Sequence, residues 1–131
     1  MEYRLLRSQA IILTIYSKEY ISSEFLKVAN DEVYEITCSN DQRWKDWFCK
    51  SKPTGYVNIF ATLLGLRVKK AKCFCLCGIF NTDKFAAFPI GNFREVKTEK
   101  KSGTLSFFAN DTPRFYFNNK GSVQIKILRI K

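Results

Sequence analysis

The chain has no histidine, and that absence removes a large body of chemistry. Triads that need an imidazole base are unavailable, and so are metal sites built on histidine ligands. No GxxxxGK followed by Ser or Thr and no GxGxxG occurs, so the usual phosphate-cradling loops are missing. Nothing marks a pair of carboxylates for glycoside hydrolysis, and the sequence argues against an enzyme. Pro, Gly and Ser form no linker-like tract and no segment repeats, so residues 1–131 read as one domain. No apolar run is long enough to span a bilayer. The opening places Arg4 and Arg7 before a run from Ala10 to Tyr16 that contains Thr14. No small-residue cleavage site follows it, so Gln9–Tyr16 reads as a buried strand rich in β-branched residues. With no leader visible, the expectation is a cytoplasmic protein or one secreted by a leaderless route.

Acidic residues are also in short supply. Against 12 Asp and Glu stand 22 Lys and Arg, for a net charge of +10. Such an excess draws anions, which makes nucleic acid, acidic glycans and anionic membrane surfaces candidate partners. The plainer reading is a solvated basic surface. Four cations in Arg67–Lys72 (RVKKAK) form the densest run, read either as a polyanion patch or as an edge-strand guard.

What the chain has is core material: 46% hydrophobic and 15% aromatic residues. Val33–Cys38 alternates, with Tyr34, Ile36 and Cys38 on one face. Gly103–Ala109 and Val123–Ile127 alternate in the same way, and Phe85–Ile90 and Phe93–Lys97 read as further strands. Ile21–Val28 fits a helical turn or an irregular strand, and Val57–Leu66 a strand or a short helix. Between them Ser39–Tyr56 reads as a long loop with Trp44, Trp47, Phe48 and Tyr56 set among cations, a mixture used by single-stranded nucleic acid sites and by sugar sites. Trp44 reads as a plug at the end of a sandwich; Trp47 is open. Cys73–Phe80 (CFCLCGIF) places Cys73, Cys75 and Cys77 on one side of a strand. Cysteines two apart on a strand sit too far apart for an easy disulfide, at about 6.6–7 Å between Cα atoms. With five cysteines in all, small buried hydrophobes in a reducing compartment are the favoured reading. Many short strands and polar turns predict an all-β sandwich, jelly-roll-like.

Asn110–Ser122 (NDTPRFYFNNKGS) concentrates a carboxylate, amides, a Pro and a Gly between two of these strands. Loops on a rigid scaffold are common binding sites. Asp111, Asn118 and Asn119 carry the hard oxygen atoms that calcium prefers. The same residue types also build turns that bind nothing.

The order Ser102, Gly103, Leu105, Phe107, Ala109, Asn110, Asp111, Pro113, Tyr116, Asn118, Asn119, Gly121, Ser122 and Ile125 resembles the end of the calcium-dependent, galactose-binding bacterial lectins of the LecA type. Those are small galactose-binding-like β-sandwiches. Trp44, Pro53, Gly55, Leu76 and Phe88–Gly91 extend the likeness. The resemblance implies calcium held by the side chains of Asp111, Asn118 and Asn119 and by the main-chain carbonyls of Phe115 and Trp47. It also implies a sugar gripped by Asp111, Thr112 and Asn118, a galactose-like glycan as partner, and multimers. The family's distal His and Gln are not matched. Phe115 stands where a small polar residue is usual, and Arg114 and Lys120 add positive charge nearby. Two functions follow as expectations: a non-catalytic, calcium-dependent lectin module, or a basic sandwich that has lost the metal and binds a polyanion or a protein partner.

Overall fold

Alternation along the strands decides which sheet faces meet. In the computed structural model, which describes residues 1–131, the strands are β1 (Glu2–Tyr3), β2 (Ala10–Tyr16), β3 (Phe25–Val28), β4 (Val33–Thr37), β5 (Trp44–Asp46) and β6 (Cys49–Ser51). After a short helix, α1 (Ile59–Leu64), come β7 (Leu76–Phe80), β8 (Ala87–Pro89), β9 (Phe93–Lys97), β10 (Gly103–Ala109), β11 (Asn119–Lys120) and β12 (Ser122–Arg129). One sheet runs β1-β3-β10-β7-β8, a second β2-β12-β4-β9, and a small third sheet joins β11, β5 and β6.

Leu13 and Ile15, Tyr34 and Ile36, and Val123, Ile125 and Ile127 turn inward from the second sheet. They meet Leu26, Val28, Leu76, Leu105 and Phe107 from the first, in a cluster of 23 buried residues. Full burial of an aliphatic side chain contributes about 1.5–3 kcal/mol, so this inter-sheet layer is the main source of stability. The architecture is the all-β sandwich that the alternation predicts. Trp44 closes one end of the layer, fully buried, with its indole N–H donating to the Phe74 carbonyl at 3.1 Å.

Several local expectations change. β2 is an edge strand with Ile12 63% exposed, because only its Leu13 face meets the other sheet. Phe25–Val28 is a strand, and Val57–Leu66 contains α1, started by Asn58, whose side-chain oxygen accepts from the Ala61 N–H at 3.1 Å. Ser39–Tyr56 is not all loop, since β5 and β6 form a hairpin inside it. The alternation across Cys73–Phe80 breaks at Phe74, whose φ of 63° turns the chain before β7 begins. Cys73 therefore joins the main core. Cys75, Cys77, Ile79, Phe108 and Val68 form a second buried cluster on the other face of the first sheet. Burial on both faces explains the near-continuous apolar run. All five cysteines are free, and only Cys49 is exposed.

Arg67 covers that second cluster. Its guanidinium carbon lies 3.6 Å from the ring centroids of both Tyr20 and Phe108, a cation sandwiched between aromatic faces. The rest of the basic run forms turns, not a sheet edge, and exposes Lys69, Lys70 and Lys72.

At the end of the sandwich where β12 finishes, buried Glu32 accepts from Arg4 at 2.8 Å, from the Tyr34 hydroxyl at 2.7 Å and from the Ala29 N–H at 2.7 Å, and pairs with Arg129 at 2.9 Å. Burial alone would push its carboxyl upward, but the hydrogen bonds from Arg4, Ala29 and Tyr34 outweigh it and hold the group at about 2, below its usual 4.5. A carboxylate held low stabilises the fold above its unfolded pKa and loses that contribution as pH falls through the folded one. Thermal stability should therefore fall between pH 4.5 and pH 2. In Glu32→Gln, a melting series over the same range should show a shallower loss. Glu32→Ala, which removes the shared partner of two partly exposed arginines, should cost about 1–3 kcal/mol by chemical denaturation.

Candidate functional site

The loop Asn110–Asn118 leaves β10 where the first sheet ends, and its first residue fixes the rest. Asn110, fully buried, donates through Nδ2 to the carbonyls of Val68 at 2.9 Å and Lys72 at 3.0 Å, and its Oδ1 accepts from the Val68 N–H at 2.9 Å. It ties the basic loop to the sandwich. Pro113–Asn118 then makes two tight turns of 3-10 helix, held by the Tyr116 hydroxyl donating to the Ala109 carbonyl. Asn119 enters β11 and pairs with Asp46 of β5, while its Nδ2 donates to the Ser17 carbonyl at 3.0 Å. On the other side Gly55 passes the chain under Cys73; with φ of +84° and a notional Cβ only 2.6 Å from the Cys73 oxygen, no other residue fits without movement.

Asp111, Asn118 and Asn119 are brought together at one end of the sandwich. Asp111 is 2% exposed; its Oδ1 accepts from the Thr112 N–H at 2.7 Å, and its Oδ2 has no hydrogen-bond partner. The Oδ1 atoms of Asn118 and Asn119 are buried without a partner as well. No other buried side-chain nitrogen or oxygen in the protein lacks one. A buried acceptor left without a donor costs about 1–3 kcal/mol, and three together form a set that a cation or ordered water would answer. The donors, one carboxylate and two amide oxygens, are hard oxygens of the kind calcium takes.

Asp111 and Asn118 line a cleft of about 240 Å³ together with Asp46, Trp47, Tyr56, Asn58 and Phe115, while Asn119 lies buried behind it. Phe115 and Trp47, expected to lend carbonyls, both border it, and the Trp47 N–H donates to the Asn118 carbonyl at 3.2 Å. Trp47 takes φ of 56°, and its exposed ring lies against that of Phe48. Thr112 is placed differently from its neighbours. It is buried, and its hydroxyl lies 3.3 Å from the Ala61 carbonyl of α1. Phe60, Leu63 and Leu64 of α1 are exposed, and Phe60 and Leu64 line the cleft. The rim is thus apolar around a polar floor.

Asp46 and Asn58 line the cleft without any signal in the sequence, and Tyr56 stands out there only as one of the aromatics of Ser39–Tyr56. Asp46 stands between two tryptophans in a stretch that reads as aromatic and basic, and only the pairing of β5 with β11 sets it opposite Asn119. Its Oδ2 accepts from the Tyr56 hydroxyl at 2.5 Å. Burial pushes the Asp111 carboxyl up to about 6; the Thr112 N–H opposes this, and the nearby Asp46 carboxylate adds to it.

No protein-family model and no curated protein matches the chain. Among solved structures it is similar to the EclA N-terminal domain, described as a PllA-like lectin, at 17% identity, with 90% of this chain and 94% of that one covered and a TM-score of 0.65. The chain has a lectin-domain fold. No helix in this lectin fold is long and apolar enough to cross a membrane.

The buried, unpaired charge of Asp111 has a direct consequence for stability. With chelator present, Asp111→Asn should be more stable than the unaltered protein at neutral pH, by about 1 kcal/mol, because a neutral amide is cheaper to bury than an unpartnered carboxylate. Chemical denaturation of the two proteins side by side measures the difference, and a lower midpoint for the variant would contradict it.

Proposed function

We propose that the protein is a non-catalytic, lectin-like module that binds a glycan through a calcium ion held by Asp111, Asn118 and Asn119. The observation that carries this reading is the coincidence of the three orphaned buried oxygens with those three residues. Main-chain carbonyls of Phe115 and Trp47, both at the cleft, would complete the protein's share of the shell. Calcium bound there would offer open coordination positions to vicinal hydroxyls of a galactose-like sugar.

The chain's own residues orient that sugar. Asp111 and Asn118 present acceptors to its hydroxyls, and Thr112 acts through its main chain, since its hydroxyl is turned to α1. Trp47 and Phe60 offer apolar faces at the rim for the sugar's C–H groups. The cleft's other polar side chains include Asp46, Tyr56 and Asn58, with no histidine among them. Galactose and its epimers are therefore the sugars to compare first. One shallow site binds weakly, and display on several copies of the chain would raise avidity.

Calcium should raise the melting temperature, and Asp111→Ala should remove that rise. A ligand present at 100 times its Kd stabilises by about 2.7 kcal/mol, so millimolar calcium gives a clear shift for any useful affinity. A glycan array with and without chelator identifies the sugar; signal indifferent to chelator would sink the calcium part of the proposal. The polyanion reading rests on exposed Lys69, Lys70 and Lys72. It predicts heparin binding that weakens steeply with salt and ignores chelator.

A further inference from the structure

The cleft contains a second carboxylate that the resemblance does not call for. One oxygen of Asp46, one oxygen of Asp111 and the Sγ of Cys73 all lie within 4.8 Å of one another. Oxygen ligands sit about 2.3–2.6 Å from calcium, so two ligands on opposite sides of one ion stand roughly 4.6–5.2 Å apart. The Asp46 and Asp111 separation falls within what a single ion can bridge. No Lys or Arg relieves the pair, since the ion pairs in the protein involve only Glu32 and Glu95. Asp46 Oδ2 accepts from the Tyr56 hydroxyl at 2.5 Å and from the Cys73 thiol at 3.7 Å, while Oδ1 accepts from neither, which leaves acceptor capacity on the carboxylate.

We infer that Asp46 is a further side-chain ligand of the cation held by Asp111, Asn118 and Asn119, giving the site two carboxylates where the resemblance implies one. This rests on the calcium reading above and deepens it. Two facing carboxylates could instead share a proton as an acid–base pair. The orphaned amide oxygens of Asn118 and Asn119 decide against that use, because they are acceptors that a proton between the acids would leave unanswered. A second anionic ligand neutralises more of the ion's charge within the shell. Tyr56 is the positioning residue: its hydroxyl holds one Asp46 oxygen and leaves the other to the cation. The Cys73 thiol, which burial keeps protonated well above its ordinary range, is a neutral wall to a hard ion.

The test is titration of calcium and of terbium into the full chain and three variants, Asp46→Asn, Asp111→Asn and Tyr56→Phe, each first checked for an unchanged fold by circular dichroism in chelator. Binding is read by calorimetry for calcium and by luminescence for terbium. Removing a unit charge beside a multivalent ion should weaken calcium by at least about tenfold and terbium by more, since Coulomb energy scales with the ion's charge. Tyr56→Phe, which keeps the carboxylate and removes no charge, should weaken both ions by a similar factor and by less than Asp46→Asn does. Asp46→Asn binding both ions as the unaltered protein does would overturn the inference while leaving the calcium reading intact. An equal loss for both ions would also overturn it, because it signals a structural role and not a lost charge. If the unaltered protein itself binds neither ion, the calcium reading fails and takes this one with it.

Discussion

Three buried oxygens with no donor set the terms for one end of this sandwich. Everything around them is satisfied: Asn110 uses both ends of its amide, Asn119 spends its NH2 on Ser17, and Trp44 finds the Phe74 carbonyl. In an interior where nearly every buried polar atom is paired, acceptors left over on Asp111, Asn118 and Asn119 are a localised exception. The sandwich tolerates them because the inter-sheet core supplies the stability. The same rigidity keeps the three residues from turning away to find donors of their own.

Convergence of these residues comes from topology. Asp111 follows β10 in the first sheet, whereas Asn119 lies in β11 and leads into β12 of the second. The loop between them is the chain's passage from one layer to the other, and its 3-10 turns shorten that passage so that Asp111 and Asn118 line one cleft. The third sheet adds the hairpin β5–β6, which brings Asp46 and Trp47 to the opposite wall.

Much of this was written in local patterns. The strands around Gly103–Ala109 and Val123–Ile127 followed from alternation, and the burial of Trp44 from its size and setting. The order of residues around Asp111, Asn118 and Asn119 singles them out, and the structure leaves one side-chain oxygen of each buried without a partner. Other features depend on partners far away in the chain and leave no local trace. Glu32 reads as part of a polar turn, yet Arg4 and Arg129 make it a buried anion. Asp46 reads as an ordinary loop acid until β11 pairs beside it. Cys73 was assigned to the wrong face because one residue, Phe74, takes a left-handed conformation that alternation cannot anticipate.

The Glu32 cluster also fixes where the chain leaves. Arg4 and Arg129 grip the same carboxylate, so the first and last strands finish side by side. β12 runs eight residues from the cleft to that point, about 25 Å at the rise of an extended strand. Additional polypeptide joined after Lys131 would emerge at the pole remote from the cleft, whereas β1 runs toward that pole beside β3, so polypeptide joined before Met1 would leave from midway along the first sheet's edge. A domain anchored to a support by its carboxyl-terminal tail would keep its cleft unobstructed.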